Sequence, residues 1–261
     1  MATQSESASR LSLPDILELK YGPNDRQGWG PRLRAAFGYV TPDDVYEATV
    51  FGLVEKTTSW LDVGCGRYVF PSNRAAARLL SQRCQILVGI DPSDNITENE
   101  IVHLREQTFV EDYHPNRQFD LITLRMVAEH IRNPESAVQA LSRLTNRGGR
   151  IVIYTVSKWA PVSILAAVTP TYVHKVAKRV LWQSEDKDTF PVVYRMNTRR
   201  DLAHQFEANG FIEERFEHLD DCRLFLRWYA LNYLELSMLR LLRGAGLSYP
   251  ESCILAIYRK T

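Results

Sequence analysis

The chain has 261 residues, of which 45% are hydrophobic and 24% are charged. This is an ordinary globular composition that excludes a disordered chain and a membrane-spanning one. The net charge is +1, so the charge balance gives no argument for a nucleic-acid partner or a membrane surface. Four cysteines without CxxC spacing are too few for a disulfide scaffold, and they favour a reducing cytoplasm.

Residues 1–57 are predicted to form an N-terminal cap of helices and loops. Residues 1–10 are polar and rich in serine, which predicts a frayed tail and no signal peptide. A loop rich in glycine and proline spans residues 21–32. Thr41 is expected to cap a helix that starts at Pro42, because threonine accepts backbone N–H groups there and proline is tolerated in the first turn.

Residues 58–261 are predicted to form the main domain, in which short strands alternate with helices. The predicted strands span residues 60–63, 86–90, 108–110, 119–124, 151–154, 211–219 and 253–258. The predicted helices are residues 72–80, a segment opened by Asn133 and Pro134, and a segment capped by Thr198. Because most strands are apolar throughout, both sheet faces should be buried, which is typical of a parallel sheet. The fold class is therefore α/β, a doubly wound Rossmann-like sheet.

Two insertions interrupt this alternation, at about residues 157–197 and 222–245. The first contains a basic apolar helix candidate at 172–182, and the second contains a long apolar helix at 224–243. Helical spacing in the second predicts a core stripe of Leu226, Tyr229, Tyr233 and Leu236.

A glycine-containing turn follows the first predicted strand of the main domain. The segment runs Asp62-Val63-Gly64-Cys65-Gly66 and precedes a helix. Glycines at a strand-to-helix turn allow positive φ angles and let a ligand approach bare backbone, while the helix N-terminus offers amide donors. A plain structural turn is the alternative interpretation.

Acidic residues follow the next two predicted strands. Asp91 ends the second strand, 25 residues after Gly66, and a carboxylate there can accept two ribose hydroxyls. Its alternative role is to begin a turn. Glu111 and Asp112 follow the third predicted strand, where an acid could meet an adenine amino group.

The glycine segment also limits the kind of nucleotide. A dinucleotide fingerprint would need a third glycine where Val69 stands, and no P-loop motif is present. Asp62 would repel a diphosphate, whereas it suits a ligand with a cationic end. S-adenosylmethionine carries an amino group, a sulfonium and a ribose, and no phosphate.

Four segments, WLDVGCG, VGIDPS, FDLITLRMVAEHI and LTNRGGRIVIYT, resemble in order and spacing the motifs of class I S-adenosylmethionine-dependent methyltransferases, over about residues 58–157. The resemblance implies a seven-stranded, mostly parallel sheet with its last strand antiparallel, helical lid insertions, and S-adenosylmethionine as cofactor. It implies a cofactor site made of Asp62, Gly64, Cys65 and Gly66 around the methionine part, Asp91 and Pro92 at the ribose, Glu111 or Asp112 near the adenine, and Arg125 and Met126 at the border. One departure is Tyr68, where many members have a further glycine.

Glu129 and His130 are the catalytic candidates. Their segment is similar to the M-x-x-E-H segment of quinone-biosynthesis O-methyltransferases, and an imidazole there can take a proton from a hydroxyl or amine. Some of those enzymes have a metal-assisting acid where Met126 stands, so no metal is expected. The alternative is that His130 caps or packs under the following helix.

We therefore expect a cytoplasmic methyltransferase that acts on an O or N atom of a small, hydrophobic or aromatic acceptor. Nucleic acid is not expected as a partner, contact of residues 172–182 with a membrane surface is a weaker possibility, and the chain is expected to be a monomer or homodimer. The alternatives are a non-catalytic S-adenosylmethionine-binding or regulatory protein of the same fold, and a nicotinamide-dependent oxidoreductase.

Overall fold

The fold is taken from a computed structural model, which describes residues 12–23, 26–161, 163–164 and 190–261. The predicted tail and the basic helix candidate at 172–182 lie outside the described residues, as does most of the first insertion.

A seven-stranded sheet in the order β3-β2-β1-β4-β5-β7-β6 forms the centre of the described chain. Its strands are β1 Ser59–Val63, β2 Ile86–Asp91, β3 Leu104–Gln107, β4 Phe119–Arg125, β5 Thr145–Val156, β6 Phe211–Asp220 and β7 Ser252–Lys260. Strands β1 to β5 run parallel to one another, and β7 is antiparallel to both β5 and β6. The α/β, doubly wound fold with an antiparallel last strand is therefore confirmed.

Helices cover both faces of this sheet. They are α1 Leu13–Tyr21, α2 Trp29–Ala36, α3 Pro42–Leu53, α4 Arg74–Arg83, α5 Pro134–Leu144, α6 Arg199–Glu207 and α7 Tyr229–Gly244. The predicted caps are present: Thr41 and Asp44 form a reciprocal capping box on α3, and Asn133 and Thr198 accept backbone N–H groups at the starts of α5 and α6.

Two apolar clusters fill the space between sheet and helices. Trp60 points to one face and packs with Ile16 of α1 and Tyr46 of α3. Leu61 points to the other face, where Leu141 of α5 belongs to the same cluster. The N-terminal helices thus share a core with the sheet, and the division of the chain at residue 57 stays a prediction.

Three predicted elements need correction. The loop predicted over residues 21–32 gives way to α2 at Trp29, because a proline such as Pro31 is tolerated in the first turn of a helix. The third strand is Leu104–Gln107 and not residues 108–110, because a polar, exposed edge strand lacks the apolar run that marks a central strand. The helix expected from residue 224 begins at Tyr229, after a turn whose Leu224 and Phe225 N–H groups bond to the buried Glu235 carboxylate.

Helix α7 rests on α2 through a small third cluster that includes Leu33 and Leu236. Of the predicted core stripe only Leu236 is buried, because the helix has packing partners on one side alone within the described chain. Its outer face carries the exposed side chains of Leu231, Leu234, Met238 and Leu241.

Candidate active site

A cavity of about 700 Å³ opens beyond the carboxyl ends of β1, β2 and β4. The strand order reverses between β1 and β4, and such switch points are where open α/β sheets bind ligands. Its wall is built from residues 63–68, Pro71, residues 90–93, Asn95, residues 108–111, residues 125–127, residues 130–133, Phe190 and Pro191.

The glycine turn forms one wall, and its conformation requires glycine. Gly64 and Gly66 have φ angles of +68° and +46°, in the left-handed region. A Cβ on Gly64 would lie 2.3 Å from Cγ2 of Val127, so the turn packs directly against the segment after β4. Cys65 of this turn also lines the cavity, and burial raises the pKa of its thiol.

Asp91 connects the glycine turn to the end of β2. Its Oδ2 accepts the Gly66 N–H at 2.9 Å, and its Oδ1 accepts the Ser93 N–H at 2.8 Å. The side chain therefore holds a turn, as the alternative interpretation had it, and lines the cavity together with Pro92. Each carboxylate oxygen keeps a second lone pair for a hydroxyl group.

Asp62 lies beneath the turn and not on the cavity wall. Its Oδ1 accepts the Thr123 hydroxyl at 2.5 Å, and that hydroxyl accepts the Trp60 indole N–H at 2.8 Å. Burial raises the pKa of Asp62 to about 7, although the Thr123 bond and nearby Arg125 favour the ionised form. A role of Asp62 toward the methionine part stays a prediction.

The loop after β3 forms the adenine side predicted for the cavity. Glu111 lies on the wall, whereas Asp112 is exposed and does not line it. The sequence prediction missed Thr108 and Phe109, which also line the cavity, because the apolar run 108–110 was assigned to a strand.

Arg125 and Met126 close the cavity at the end of β4. The Arg125 guanidinium donates to Asp43 of α3 at 2.9 Å, and Asp43 also accepts from Arg223. Burial opposes ionisation of Asp43, but the two guanidiniums and Lys20 hold its pKa below the ordinary value. Met126 has a φ of +52°, which is uncommon for a residue with a side chain and is often a mark of functional sites.

The two catalytic candidates lie in different surroundings. Glu129 is buried and off the cavity wall: its carboxylate accepts the Thr155 hydroxyl at 2.7 Å, and its carbonyl accepts the Val193 N–H at 2.8 Å. Burial raises the pKa of its carboxyl. Glu129 thus holds the described C-terminal end of the first insertion in place.

His130 lines the cavity, and its Nδ1 lies 3.3 Å from the Pro191 carbonyl oxygen. A carbonyl oxygen can only accept, so Nδ1 carries the proton in this bond. In a neutral imidazole with the proton on Nδ1, the lone pair is on Nε2.

The described residues include neither a membrane-spanning helix nor a cluster of metal ligands. No helix among them has both the length and the apolar character needed to cross a bilayer. Nor do those residues gather three or more His, Cys, Asp or Glu side chains into a group that could hold a metal ion.

The sheet order, the glycine turn and the acid after β2 define a Rossmann-like fold that binds an adenosyl cofactor. The sequence profile of the family described as "Methyltransferase domain" matches residues 35–212. The chain therefore belongs to this family, and its sheet order and glycine turn agree with the class I S-adenosylmethionine-dependent methyltransferase family.

Similar proteins agree with this assignment. The chain is 28% identical over 138 residues to the ubiquinone biosynthesis O-methyltransferase of Nitrosomonas europaea, covering 49% of the chain and 55% of that enzyme. It is 31% identical over 130 residues to the enzyme of the same name from Thiobacillus denitrificans, covering 46% and 53%. The chain thus spans about half the length of the curated relatives it matches. An S-adenosylmethionine dependent methyltransferase structure from Mesorhizobium loti shares the fold, with a TM-score of 0.54 and 16% identity over 84% of this chain and 98% of that one.

The residues of the cavity fit S-adenosylmethionine as the cofactor. Gly64 and Gly66 line the cavity without side chains, and each Asp91 carboxylate oxygen keeps a second lone pair for a ribose hydroxyl. Asp91 and Glu111 are the acids on the wall, and both lie on the side of the cavity next to β2 and β3. Negative charge there suits a sulfonium ligand without phosphates.

Proposed function

We propose that the chain methylates an oxygen atom of a small aromatic acceptor that binds at the His130 end of the cavity. The observation that carries this proposal is that His130 shares one continuous cavity with the glycine turn and Asp91, and that none of the described residues bonds to its Nε2. The curated relatives named O-methyltransferases support oxygen as the atom that is methylated.

In this proposal the chain binds the cofactor, aligns the acceptor and removes one proton. S-adenosylmethionine supplies an electrophilic methyl group when it is bound. Asp91 and Pro92 hold the ribose, Gly64, Cys65 and Gly66 enclose the methionine part, and Glu111 lies at the adenine. Nε2 of His130 would take the proton that the acceptor hydroxyl loses when its oxygen receives the methyl group.

Pro191 and Glu129 would position the imidazole of His130. The Pro191 carbonyl holds the imidazole in the tautomer that can accept the proton, and it continues to accept from Nδ1 once the ring is charged. Glu129 bonds to the neighbouring Val193 N–H through its carbonyl and to Thr155 through its carboxylate. Glu129 is therefore proposed as a positioning residue, not as a group that touches the acceptor.

The test compares the activity of His130→Gln with that of His114→Gln. His114 lies at the opposite end of the sheet, near the start of β4. We expect His130→Gln to lower kcat by about 10²- to 10⁴-fold and to remove the loss of rate toward acid pH that a general base gives. The affinity for S-adenosylmethionine, measured by calorimetry, should stay unchanged in both variants. An unchanged rate and pH profile would rule out His130 as the base, and cofactor binding without turnover of any phenol would favour the non-catalytic alternative.

A further inference from the structure

We propose that the acceptor is an aromatic hydroxyl compound that also carries a carboxylate, and that Arg132 binds this carboxylate at the mouth of the cavity. The inference rests on the proposed function, because it names the class of acceptor for the same site. Three observations support it: the shape of the acceptor end, the distribution of charge along the wall, and the surroundings of Arg132.

The acceptor end is formed by residues on two segments. His130, Ile131, Arg132 and Asn133 come from the connection between β4 and α5, and Phe190 and Pro191 come from the described residues before α6. The Phe190 ring centre is 6.4 Å from that of His130, and the two planes are inclined by 62°. An aromatic ring is therefore available beside the proton-accepting group, which suits an aromatic acceptor.

Charge is distributed unequally along the cavity. The acids on its wall, Asp91 and Glu111, both belong to the cofactor half. Arg67 and Arg125, which also line the cavity, are paired with Glu98 at 3.0 Å and Asp43 at 2.9 Å. The acceptor half has Arg132 as its charged wall residue among those described.

Arg132 has no carboxylate partner within ion-pair distance among the described residues. Of the acids close to it in sequence, Glu129 is buried against Thr155 and Glu135 accepts from Gln139. Arg195 donates from its guanidinium to the Arg132 backbone oxygen at 2.6 Å, which brings a second cation to this end. The Arg132 side chain is exposed at the cavity wall, and none of the described acids pairs with it. Such a guanidinium can bind a carboxylate through two parallel hydrogen bonds.

The experiment measures binding apart from turnover. 3,4-Dihydroxybenzoate and catechol differ only in the carboxylate, and each is titrated by calorimetry into the protein saturated with S-adenosylhomocysteine. We expect the wild type to bind the carboxylated compound about 10- to 100-fold more tightly, as a charge-assisted hydrogen-bonded pair provides. Arg132→Gln should lose this preference and bind catechol as before, whereas Arg132→Lys should keep part of it. Arg117→Gln, near the opposite end of the sheet, should behave like the wild type.

Equal affinities of the wild type for both compounds, binding of neither compound, or an unchanged preference in Arg132→Gln would each overturn the inference. Methyl transfer is then followed separately with both compounds. Carboxylate-dependent binding without methyl transfer would count against the proposed function and leave this inference standing. Methyl transfer to both compounds without a carboxylate preference would support the proposed function and overturn this inference.

Discussion

Gly64 is fixed by two separate constraints, its backbone angle and the closeness of Val127. Gly148 shares only the first: its φ is +78°, and a Cβ there would meet nothing within 4 Å. We expect Gly148→Ala to lower the free energy of unfolding by about 1–2 kcal/mol, the cost of a left-handed alanine. Gly64→Ala should lose more, and it should also weaken S-adenosylmethionine binding because the turn must move away from Val127. Urea unfolding and calorimetry measure the two effects.

Equal stability losses and unchanged cofactor affinity in both glycine variants would contradict this account. The sequence alone predicted a turn with positive φ angles at Gly64 and Gly66, because glycine adopts such angles more easily than other residues. It could not predict the Val127 contact, since residues 64 and 127 come together only after β1 and β4 have paired.

Asp62 should give the protein a pH-dependent stability. Its pKa in the folded state is about 7, against about 4 in an unfolded chain, so between these values the folded state keeps a proton that the unfolded state has lost. This contribution to stability is complete below about pH 4 and declines as pH rises toward 7, by up to about 1.4 kcal/mol per pH unit. Asp62→Asn removes the titration and keeps an oxygen for the Thr123 hydroxyl.

The comparison that isolates this effect is the difference in unfolding free energy between wild type and Asp62→Asn at pH 5 and at pH 8. Relative to the variant, the wild type should be more stable at pH 5 than at pH 8. Parallel pH dependences of the two proteins would show that Asp62 does not titrate in this range.

At the scale of elements, Asp43 connects three parts of the fold. It begins the first turn of α3 and accepts from Arg125 at the end of β4 and from Arg223 in the loop after β6. These groups are largely buried, and Asp43→Asn leaves Arg125 without a carboxylate, while Arg223 keeps Asp221 at 2.6 Å. We expect a loss of about 3–5 kcal/mol in the free energy of unfolding by urea.

Glu214 is the matched control for Asp43. It also bridges two arginines, Arg150 and Arg259, at 2.7 Å each, but all three side chains are substantially exposed to water. Glu214→Gln should therefore cost no more than about 1 kcal/mol. Similar losses in the two variants would mean that burial does not set the strength of these networks.

Most strands and helices were predictable because their apolar residues and caps are local signals. Strand β3 was misplaced because a polar edge strand has no such signal, and Thr108 and Phe109 were lost from the predicted site with it. The core stripe assigned to α7 failed for a related reason. Helical spacing indicates an apolar face but not whether another element covers it, and the exposed Leu234 and Leu241 have no such cover within the described chain.

At the scale of the whole molecule, the cofactor should stabilise the folded chain by mass action. The cavity is assembled from segments between residues 63 and 191, so it exists only in the folded state. S-adenosylhomocysteine at 100 times its Kd should raise the free energy of unfolding by about 2.7 kcal/mol. Asp91→Ala should lose most of this gain, whereas Asp94→Ala, which changes an exposed acid off the wall, should retain it. A gain of equal size in Asp91→Ala would remove Asp91 from the proposed ribose site.

The direction of the last strand shows the limit of local patterns at this scale. The apolar run 253–258 would read the same in a parallel or an antiparallel strand, so its direction was expected only from the family resemblance. The lid role of the two insertions, the oligomeric state and the cytoplasmic location stay predictions.

The position of β7 between β5 and β6 has a consequence for synthesis on the ribosome. Strand β6 emerges about 40 residues before β7, yet β7 is its sheet neighbour and separates it from β5. While translation continues, the five parallel strands can already associate, whereas β6 must wait with both edges unpaired. Strands β6 and β7 therefore join the sheet last, and a nascent chain stalled before residue 252 leaves exposed the edges of β5 and β6 that β7 would pair with.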